Sequence, residues 1–328
     1  MNIAINGFGR IGRTVLRICM ERGVNVTAVN DPNGSDSAAY LLKYDTIYGK
    51  FPGSVFADKN NLIVNGKKII VISERDPKKL PWKKLGIDIV IDSTGVFKNK
   101  ESCSQHLKSG AKKVIITAPA KDVPQIVLGV NDKSLKAVNH IVAVSSCTTN
   151  CLAPIAKILN DNFGIKRALM TTIHAYTNDQ TIQDSAHKKF RRGRAGAMNI
   201  IPTTTGAAYA VTEVIPELKD KITGLAVRVP VICGSLVDLS AELKNKFTVE
   251  QINAVFKKMS ETDYKGIVEY SEDELVSSDI IANHHSALFD AKCTQKEGDM
   301  VKVLAWYDNE YGYSQRVVDV VKLIARFI

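Results

Sequence analysis

Much of what this chain can fold into is decided by a glycine-rich turn near its N-terminus, Gly7-Phe8-Gly9-Arg10-Ile11-Gly12. The turn follows an apolar strand pattern at residues 2–6 and precedes a helical pattern that ends at Gly23. A second strand pattern at residues 24–29 leads to Asp31. The G-x-G-x-x-G pattern alone is weak. Strand, turn, helix, strand and an acid about 20 residues further on together indicate a dinucleotide-binding β-α-β unit.

Each part of this unit has a physical role in holding a dinucleotide. Gly7 permits the tight turn, Gly9 lets the backbone approach a pyrophosphate, and Gly12 lets helix and strand pack closely. The N-terminus of the helix receives the phosphate charge. Asp31 would accept hydrogen bonds from the adenosine ribose and would repel a 2′-phosphate there. The sequence therefore predicts NAD in preference to NADP.

Further β-rich runs recur through the first half of the chain, with helical or loop material between them. They lie at residues 68–72, 87–91, 113–117, 126–130 and 141–144. Alternation of this kind predicts a parallel, doubly wound sheet. Ligands bind at the carboxyl ends of such strands, which places residues 92–95 and 117–119 near the dinucleotide. A tight-turn role explains these two segments equally well.

The string Ser146-Cys147-Thr148-Thr149-Asn150-Cys151 lies about halfway along the chain, after an apolar strand pattern at residues 141–144. A helix is predicted at residues 152–159, with Pro154 bending its first turns. A thiol at a helix N-terminus lies near the positive end of the helix dipole and near unpaired N–H groups, and both favour the thiolate. The sequence therefore predicts a nucleophile at Cys147, with a buried structural thiol as the alternative.

His174 lies near the end of a β-rich run at residues 168–176, with polar residues 177–180 after it. A histidine in this position can abstract the thiol proton and later stabilise charge on the reacting oxygen. An ordinary hydrogen-bonded histidine is the alternative, and the other five histidines lack comparable context. Cys147 and Cys151 are spaced as two zinc ligands can be, but no further ligands lie at the usual spacing, so no metal site is predicted.

Two later segments are suited to phosphate. Residues 202–208 offer three threonine hydroxyls and a glycine at a predicted helix start. Arg228 lies inside an otherwise apolar strand pattern at residues 225–230. A cation in such a strand needs an anionic partner, and an internal carboxylate or a ligand phosphate fits equally well.

The composition restricts the class of protein. A length of 328 residues favours two domains, and the formal net charge of +10 favours anionic ligands. The dense basic run at residues 187–194 suits a solvated face or nucleic acid, although it contains one aromatic residue only. Six scattered cysteines suit a reducing compartment, so the cytoplasm is expected. No apolar run approaches the length of a membrane span.

The C-terminal part of the sequence combines a strand pattern at residues 301–306 with a closing helix at residues 314–327. The helix has apolar positions at residues 317, 318, 320, 321, 324 and 327. A C-terminal helix of this type usually docks back on the body of the protein.

From end to end, the chain resembles the phosphorylating glyceraldehyde-3-phosphate dehydrogenases. Its thiol motif at residues 146–153 is highly specific, and the other matching strings follow the family's order: residues 6–12, 41–45, 73–77, 174–180, 205–208 and 306–313. The resemblance implies a Rossmann-type, doubly wound NAD-binding domain at residues 1–146, with a C-terminal helix at residues 312–328 packed back on it. It also implies an α+β catalytic domain at residues 147–311 with a mostly antiparallel sheet.

The resemblance further implies NAD-dependent oxidative phosphorylation of D-glyceraldehyde 3-phosphate to 1,3-bisphosphoglycerate, a reaction of glycolysis and gluconeogenesis. Cys147 would attack the aldehyde to form a thiohemiacetal, with His174 as the base. Transfer of a hydride to the nicotinamide would leave a thioester, which inorganic phosphate cleaves to an acyl phosphate.

The same resemblance implies the binding residues. The phosphate of the substrate would be held by Thr177, Asp179 and Arg228, and the attacking phosphate by Ser146, Thr148, Arg192, Thr205 and Gly206. NAD would be held by Gly7, Gly9, Arg10, Ile11, Gly12, Asp31, Arg75, Thr117, Asn309 and Tyr313. The basic run at residues 187–194 falls in a loop at a subunit interface of the family's homotetramer, so a nucleic-acid partner is not required.

Some positions depart from the family's pattern. Ser185-Ala186 replaces the common Leu-Pro near the adenosine of a neighbouring subunit, and Pro32 replaces a usual Leu beside Asp31. These changes weaken the expectation of strict NAD selectivity. Two rival functions remain open: a dehydrogenase of the same fold that acts on erythrose 4-phosphate and hydrolyses its thioester, and an RNA-binding or surface-adhesion protein.

Overall fold

A computed structural model, which describes residues 1–328, divides the chain into two units. Unit 1 comprises residues 1–126, 133–145 and 314–328. Unit 2 comprises residues 127–132 and 146–313. Each unit is built on one large β-sheet.

Unit 1 contains an eight-stranded sheet with helices between its parallel strands. Its strands are β1 (Ile3–Asn6), β2 (Val26–Asn30), β3 (Val55–Asp58), β4 (Asn61–Val64), β5 (Lys67–Ile72), β6 (Ile89–Asp92), β7 (Lys113–Ile116) and β8 (Ile141–Ala143). Its helices are α1 (Arg10–Glu21), α2 (Gly34–Lys43) and α3 (Lys100–Lys108). The strand order is β3-β4-β5-β2-β1-β6-β7-β8, and only the pairs β3–β4 and β4–β5 are antiparallel. The predicted Rossmann-type sheet is confirmed, and the edge hairpin β3–β4 is an addition that the sequence analysis missed.

The predicted strand at residues 126–130 is wrong. The backbone turns back on itself here, because the N–H groups of Val130 and Asn131 both lie 3.1 Å from the Val127 carbonyl oxygen. The Asn131 side chain also accepts a hydrogen bond from the Val127 N–H at 2.8 Å. Gly129 has φ +75°, a left-handed conformation that glycine adopts readily. The apolar character of the segment reflects burial of Val127 in the core of unit 2 instead of pairing in a sheet.

Unit 2 contains a seven-stranded sheet that is mostly antiparallel, as predicted. Its strands are β9 (Ile165–Ala175), β10 (Ile201–Thr204), β11 (Ile222–Val229), β12 (Ser235–Leu243), β13 (Val268–Ser271), β14 (Ala287–Glu297) and β15 (Met300–Tyr307). Their order is β10-β11-β9-β12-β15-β14-β13, and only the pairs β9–β11 and β13–β14 are parallel. The helices α4 (Cys147–Phe163), α5 (Ala207–Val214) and α6 (Val249–Glu261) contribute to its hydrophobic core.

Helix α4 begins at Cys147, five residues before the start predicted from the sequence. Ser146 explains this start, because its Oγ caps the helix by accepting a hydrogen bond from the Thr149 N–H at 3.0 Å. Pro154 lies in the interior of the helix, where it cannot donate a backbone hydrogen bond. The cap leaves Cys147 as the first helical residue.

The last helix, α7 (Tyr311–Ile324), brings the C-terminus into unit 1 from Ser314 onward. Arg22, the residue that follows α1, reaches it through hydrogen bonds to Gln315 at 3.2 Å and Asp319 at 2.6 Å. The apolar positions from 317 to 324 are buried, whereas Phe327 lies in a short 3₁₀ turn and is 39% exposed. None of the helices combines the length and apolar character that crossing a membrane requires.

Candidate active site

Two residues that are far apart in the sequence meet in unit 2. Cys147 opens α4, and His174 is the penultimate residue of β9. The Cys147 Sγ lies 3.4 Å from His174 Nε2. His174 is buried, whereas Cys147 is partly exposed. A thiol within reach of an imidazole nitrogen is the arrangement that an activated nucleophile needs.

The hydrogen bonds of His174 indicate which ring nitrogen carries the proton. Nδ1 lies 2.7 Å from the carbonyl oxygen of Ala175, and two acceptors at that distance would repel each other. Nδ1 is therefore the protonated nitrogen. The Arg228 Nη1 lies 3.2 Å from it but donates its hydrogen bond to the Ala175 carbonyl oxygen, at 3.0 Å. This tautomer leaves the lone pair of Nε2 directed at the thiol.

The effect of the helix N-terminus, which favours the thiolate, is opposed here by burial of the thiol. Burial raises the pKa of Cys147, and this outweighs the opposing effects of the Arg228 charge and of the hydrogen bonds from Thr148. Burial, followed by the Arg228 charge, lowers the pKa of His174 to about 3. These two directions favour a neutral thiol beside a neutral imidazole that can accept its proton.

Tyr307, which the sequence analysis did not single out, lies beneath this pair at the end of β15. Its hydroxyl forms hydrogen bonds with Thr148 Oγ1 at 2.9 Å and with Thr172 Oγ1 at 2.8 Å. Its ring meets the His174 ring edge-on, with 5.9 Å between the centroids. The hydroxyl of Thr148, expected to hold phosphate, is thus directed at Tyr307. The only sequence signal was the position of Tyr307 inside the matched string at residues 306–313.

Arg228 supplies the positive charge nearest to the pair. It lies on β11 directly opposite His174 in the parallel pairing with β9. Its Nη1 also lies 3.2 Å from Thr177 Oγ1, and its buried Nε has no protein partner. The sequence left two partners open for Arg228, an internal carboxylate or a ligand phosphate. No carboxylate of the protein forms an ion pair with it. This arrangement is suited to an anionic ligand.

A second cation, Arg192, is held by Asp179. The two side chains form a short ion pair, and Arg192 also donates to Thr203 Oγ1 at 3.0 Å and to the Thr204 carbonyl at 3.1 Å. Burial opposes ionisation of Asp179, but its hydrogen bond with Arg192 and that residue's charge hold the pKa of Asp179 below its usual range. His187 Nε2 lies 3.7 Å from the same carboxylate. A carboxylate repels phosphate, so any role of Asp179 there acts through Arg192.

The remaining predicted phosphate residues lie at two helix starts. The Oγ of Ser146 caps α4, as described above. Gly206 precedes α5, and Thr205 Oγ1 accepts a hydrogen bond from the Ala207 N–H at 3.1 Å. The first N–H groups of a helix attract anions, which makes both starts suitable for a phosphate oxygen.

A cleft of about 510 Å³ in unit 1 brings together half of the eight dinucleotide residues predicted there. Four of them line it directly: Gly7, Gly9, Asp31 and Arg75. Gly7 has φ +91°, and a Cβ there would lie 2.7 Å from the Thr94 nitrogen. A Cβ on Gly12 would lie 2.2 Å from the Gly7 carbonyl oxygen, whereas one on Gly9 would meet no atom within 4 Å. The open space at Gly9 fits the approach of a pyrophosphate, and the contacts at Gly12 fit close packing of helix and strand.

Asp31 follows β2 and is held by the loop after it. Its Oδ1 accepts hydrogen bonds from the Asn33 N–H at 2.9 Å and from Asn33 Nδ2 at 3.1 Å. Its Oδ2 makes no bond with the protein and remains available to a ribose hydroxyl. Pro32 lines the same cleft.

The other predicted cofactor residues are placed as follows. Arg10 pairs with Asp45 and lies over the Tyr48 ring, so its charge is partly neutralised by its own unit. Neither Ile11 nor Thr117 lines the cleft, and the Thr117 N–H donates to the Asp92 carbonyl at 2.9 Å. In unit 2, Asn309 Oδ1 accepts a hydrogen bond from Ser235 Oγ at 2.9 Å, and Tyr313 is buried.

Comparison with known proteins assigns the cleft of unit 1 and the Cys147–His174 pair to two domains of one family. The model of the glyceraldehyde 3-phosphate dehydrogenase NAD binding domain matches residues 1–100, and the model of the C-terminal domain of the same enzymes matches residues 146–309. The chain belongs to the glyceraldehyde-3-phosphate dehydrogenase family. The family's NAD-binding domain thus contains the cleft of unit 1, and its C-terminal domain contains the Cys147–His174 pair. The predicted cofactor, NAD, is supported by the same match.

Relatives within the family match along nearly their whole length. Glyceraldehyde-3-phosphate dehydrogenase 1 of Bacillus subtilis is 54% identical over 330 residues, which cover 99% of this chain and 98% of the relative. The enzyme of the same name from Kluyveromyces marxianus is 54% identical over 329 residues, covering 99% and 100%. Glyceraldehyde-3-phosphate dehydrogenase of Borreliella burgdorferi is 52% identical over 335 residues, covering 99% and 100%. The family resemblance inferred from the sequence is confirmed.

Proposed function

We propose that this chain catalyses the NAD-dependent oxidation and phosphorylation of D-glyceraldehyde 3-phosphate to 1,3-bisphosphoglycerate. The observation that carries the proposal is the 3.4 Å approach of Cys147 Sγ to His174 Nε2 next to Arg228, in a member of this family. The neutral thiol–imidazole pair is suited to attack on an aldehyde, and the unpaired face of Arg228 is suited to a phosphate group.

The first step forms a carbon–sulfur bond. As Cys147 Sγ attacks the aldehyde carbon, its proton moves to His174 Nε2, and the carbonyl electron pair becomes an oxyanion. The resulting imidazolium and the backbone N–H of Cys147 can both donate to that oxyanion. Loss of one such donor typically costs about 3 kcal/mol of transition-state stabilisation. The imidazolium then gives its Nε2 proton to the oxyanion, which forms the hydroxyl of the thiohemiacetal and returns His174 to its neutral form.

The second step needs an acceptor for the hydride of the thiohemiacetal. The cleft of unit 1 would hold NAD, with Asp31 at its ribose, and bound NAD would supply that acceptor. His174 takes the hydroxyl proton as the carbonyl of the thioester forms. Phosphate then attacks the thioester carbon, and the leaving sulfur of Cys147 recovers a proton from His174.

The anion-binding residues are assigned by family resemblance and supported by their chemistry. Arg228 and Thr177 would hold the phosphate of the substrate, with Asp179 acting through Arg192. The attacking phosphate would be held by Ser146, Thr148, Arg192, Thr205 and Gly206. The cofactor would be held by Gly7, Gly9, Arg10, Ile11, Gly12, Asp31, Arg75 and Thr117, with Asn309 and Tyr313 at the nicotinamide.

The decisive experiment measures NADH formation by the purified protein with glyceraldehyde 3-phosphate and NAD, with and without inorganic phosphate. We expect turnover only with phosphate. Turnover without phosphate would favour a hydrolytic enzyme, such as one that acts on erythrose 4-phosphate. Bound NAD without any turnover would favour a binding role instead.

We also propose a homotetramer in the cytoplasm. Large apolar side chains concentrate on the surface of the segment around the basic loop, each of them more than two thirds exposed: Ile182, Phe190, Met198, Ile200 and Tyr209. Exposed apolar side chains of this size and number are typical of a protein interface. The six cysteines are all free thiols, which suits a reducing compartment. Sedimentation of the purified protein as a monomer would contradict the tetramer.

A further inference from the structure

A chain of buried polar side chains lies beneath the cleft of unit 1, and no step of the proposed reaction uses it. Trp82 and His106 are both 0% exposed, and Asp92 is 1% exposed. Trp82 Nε1 lies 3.1 Å from His106 Nδ1, and His106 Nε2 lies 3.1 Å from Asp92 Oδ2. The sequence around His106 carries no distinguishing signal, because its partners Asp92 and Trp82 lie 14 and 24 residues away along the chain.

The direction of these hydrogen bonds follows from the indole group. An indole N–H can only donate, so His106 Nδ1 must be the acceptor. The neutral ring then carries its hydrogen on Nε2 and donates it to the Asp92 carboxylate. Trp82 therefore selects the tautomer of His106 that holds Asp92, since the other tautomer would direct a lone pair at the carboxylate.

The outer end of the network forms the wall of the cleft. Asp92 Oδ1 accepts hydrogen bonds from the Thr94 hydroxyl at 2.7 Å and the Thr94 N–H at 3.2 Å. Asp92 Oδ2 accepts one from Asn6 Nδ2 at 2.8 Å, and Asn6 Oδ1 accepts one from Asn30 Nδ2 at 2.7 Å. Asn6, Asn30 and Thr94 all line the cleft. Both carboxylate oxygens thus fix cleft residues, while His106 fixes the carboxylate.

The glycine turn depends on the same wall. A Cβ on Gly7 would lie 2.7 Å from the Thr94 nitrogen, so the two backbones are in close contact. A shift of Asp92 that moved Thr94 would therefore displace the turn that receives the dinucleotide. Burying a carboxylate is unfavourable unless it is fully hydrogen-bonded, and apolar residues would fill this core at lower cost. A role in positioning the cleft residues would explain why a buried polar network is present here despite its cost in stability.

We propose that His106 is a positioning residue for the dinucleotide cleft, which it orders through Asp92 without touching the ligand. This inference rests on the proposed use of NAD. Replacement of His106 by Leu removes the donor and leaves Asp92 with an unpaired buried lone pair. Replacement by Gln places an amide N–H near the position of Nε2 and preserves the donor.

The test measures NAD affinity by calorimetry and steady-state kinetics for the wild type, His106→Leu and His106→Gln. We expect His106→Leu to weaken NAD binding about tenfold or more, the effect of one lost buried hydrogen bond. Turnover at saturating NAD should stay within about twofold, because Cys147 and His174 are unchanged, and His106→Gln should restore most of the affinity. Leu80→Ala is the matched control, since Leu80 packs in the same apolar cluster as Trp82. It should lower the melting temperature and leave NAD affinity unchanged.

Several results would overturn the proposal. Unchanged NAD affinity in His106→Leu would do so, as would a loss of affinity in Leu80→Ala that matches its loss of thermal stability. If His106→Leu does not fold, Asp92→Asn becomes the deciding variant, and normal affinity there would reject the idea. Failure of the wild-type protein to bind NAD would instead refute the proposed function, and this inference with it.

Discussion

At the scale of single residues, Cys147 and His174 show how burial can reverse an expectation drawn from a helix dipole. The helix start and Arg228 favour a thiolate, yet burial raises the pKa of Cys147 and lowers that of His174 to about 3. An ion pair at rest is therefore disfavoured relative to the neutral pair. In the proposed mechanism, the nucleophile is generated by proton transfer to His174 when the substrate is attacked.

The role of His174 as the base can be tested by His174→Asn. Without the base, the thiol of Cys147 must ionise unaided, and its raised pKa makes this unfavourable at neutral pH. We expect kcat to fall by about 10²–10⁴. The rate of Cys147 alkylation by iodoacetamide should rise only at higher pH than in the wild type. The exposed His140 offers a control, because His140→Asn should leave both kcat and the pH dependence of Cys147 alkylation unchanged. An unaltered alkylation profile in His174→Asn would remove His174 from this role.

The assignment of Cys147 as the nucleophile predicts a separation of chemistry from cofactor binding. Cys147→Ser should reduce turnover by about 10⁴-fold or more, because a serine hydroxyl ionises far less readily than a thiol. NAD binding, measured by calorimetry, should remain nearly intact. Cys293→Ser is a suitable control, since that thiol is also partly exposed in unit 2. Turnover of the Cys147 variant near the wild-type level would refute the assignment.

At the scale of elements, two glycines of the turn before α1 have different roles: Gly9 is expected to serve NAD binding and Gly12 the stability of the fold. Gly9→Ala should fold normally, because the added Cβ meets no atom within 4 Å, but it should weaken NAD binding where the pyrophosphate approaches. Gly12→Ala should destabilise the fold by about 1–3 kcal/mol, as overpacking does, since its Cβ would lie 2.2 Å from the Gly7 carbonyl oxygen. Thermal unfolding and NAD titration of both variants check the contrast. Equal loss of stability in the two would contradict it.

The elements that the sequence predicted correctly are those with a local signal. The strand-turn-helix unit around Gly7 has a characteristic residue spacing. Helix α4 was predicted as well, but five residues too short at its start, because the cap at Ser146 was not recognised. The segment 126–130 was predicted as a strand because burial of Val127 produces the same apolar run whether the backbone pairs in a sheet or forms a turn. Tyr307 and His106 were missed because their roles depend on partners that are not their neighbours in the sequence: Asp92 and Trp82 are 14 and 24 residues from His106, and Thr172 is 135 residues from Tyr307. The position of a polar side chain in a network is set by tertiary packing, which one-dimensional spacing does not record.

At the scale of the whole molecule, the buried imidazole of His174 links the active site to global stability. In the folded protein the pKa of His174 is lowered from 6.5 to about 3, so the folded state keeps this ring neutral where the unfolded chain protonates it. The unfolded state thus binds more protons, and stability present above pH 6.5 is lost progressively as the pH falls toward 3. Each pH unit in that window corresponds to about 1.4 kcal/mol.

This linkage predicts a pH-dependent difference between the wild type and His174→Asn, whose side chain does not titrate. The free energy of unfolding of the wild type, relative to that of the variant, should fall by about 2 kcal/mol between pH 7 and pH 5. Urea unfolding at several pH values measures this difference, and the comparison cancels the groups that titrate in both proteins. A difference that stays constant from pH 7 to pH 5 would show that His174 titrates normally in the folded state. The neutral imidazole required by the proposed proton transfer would then lose its physical basis.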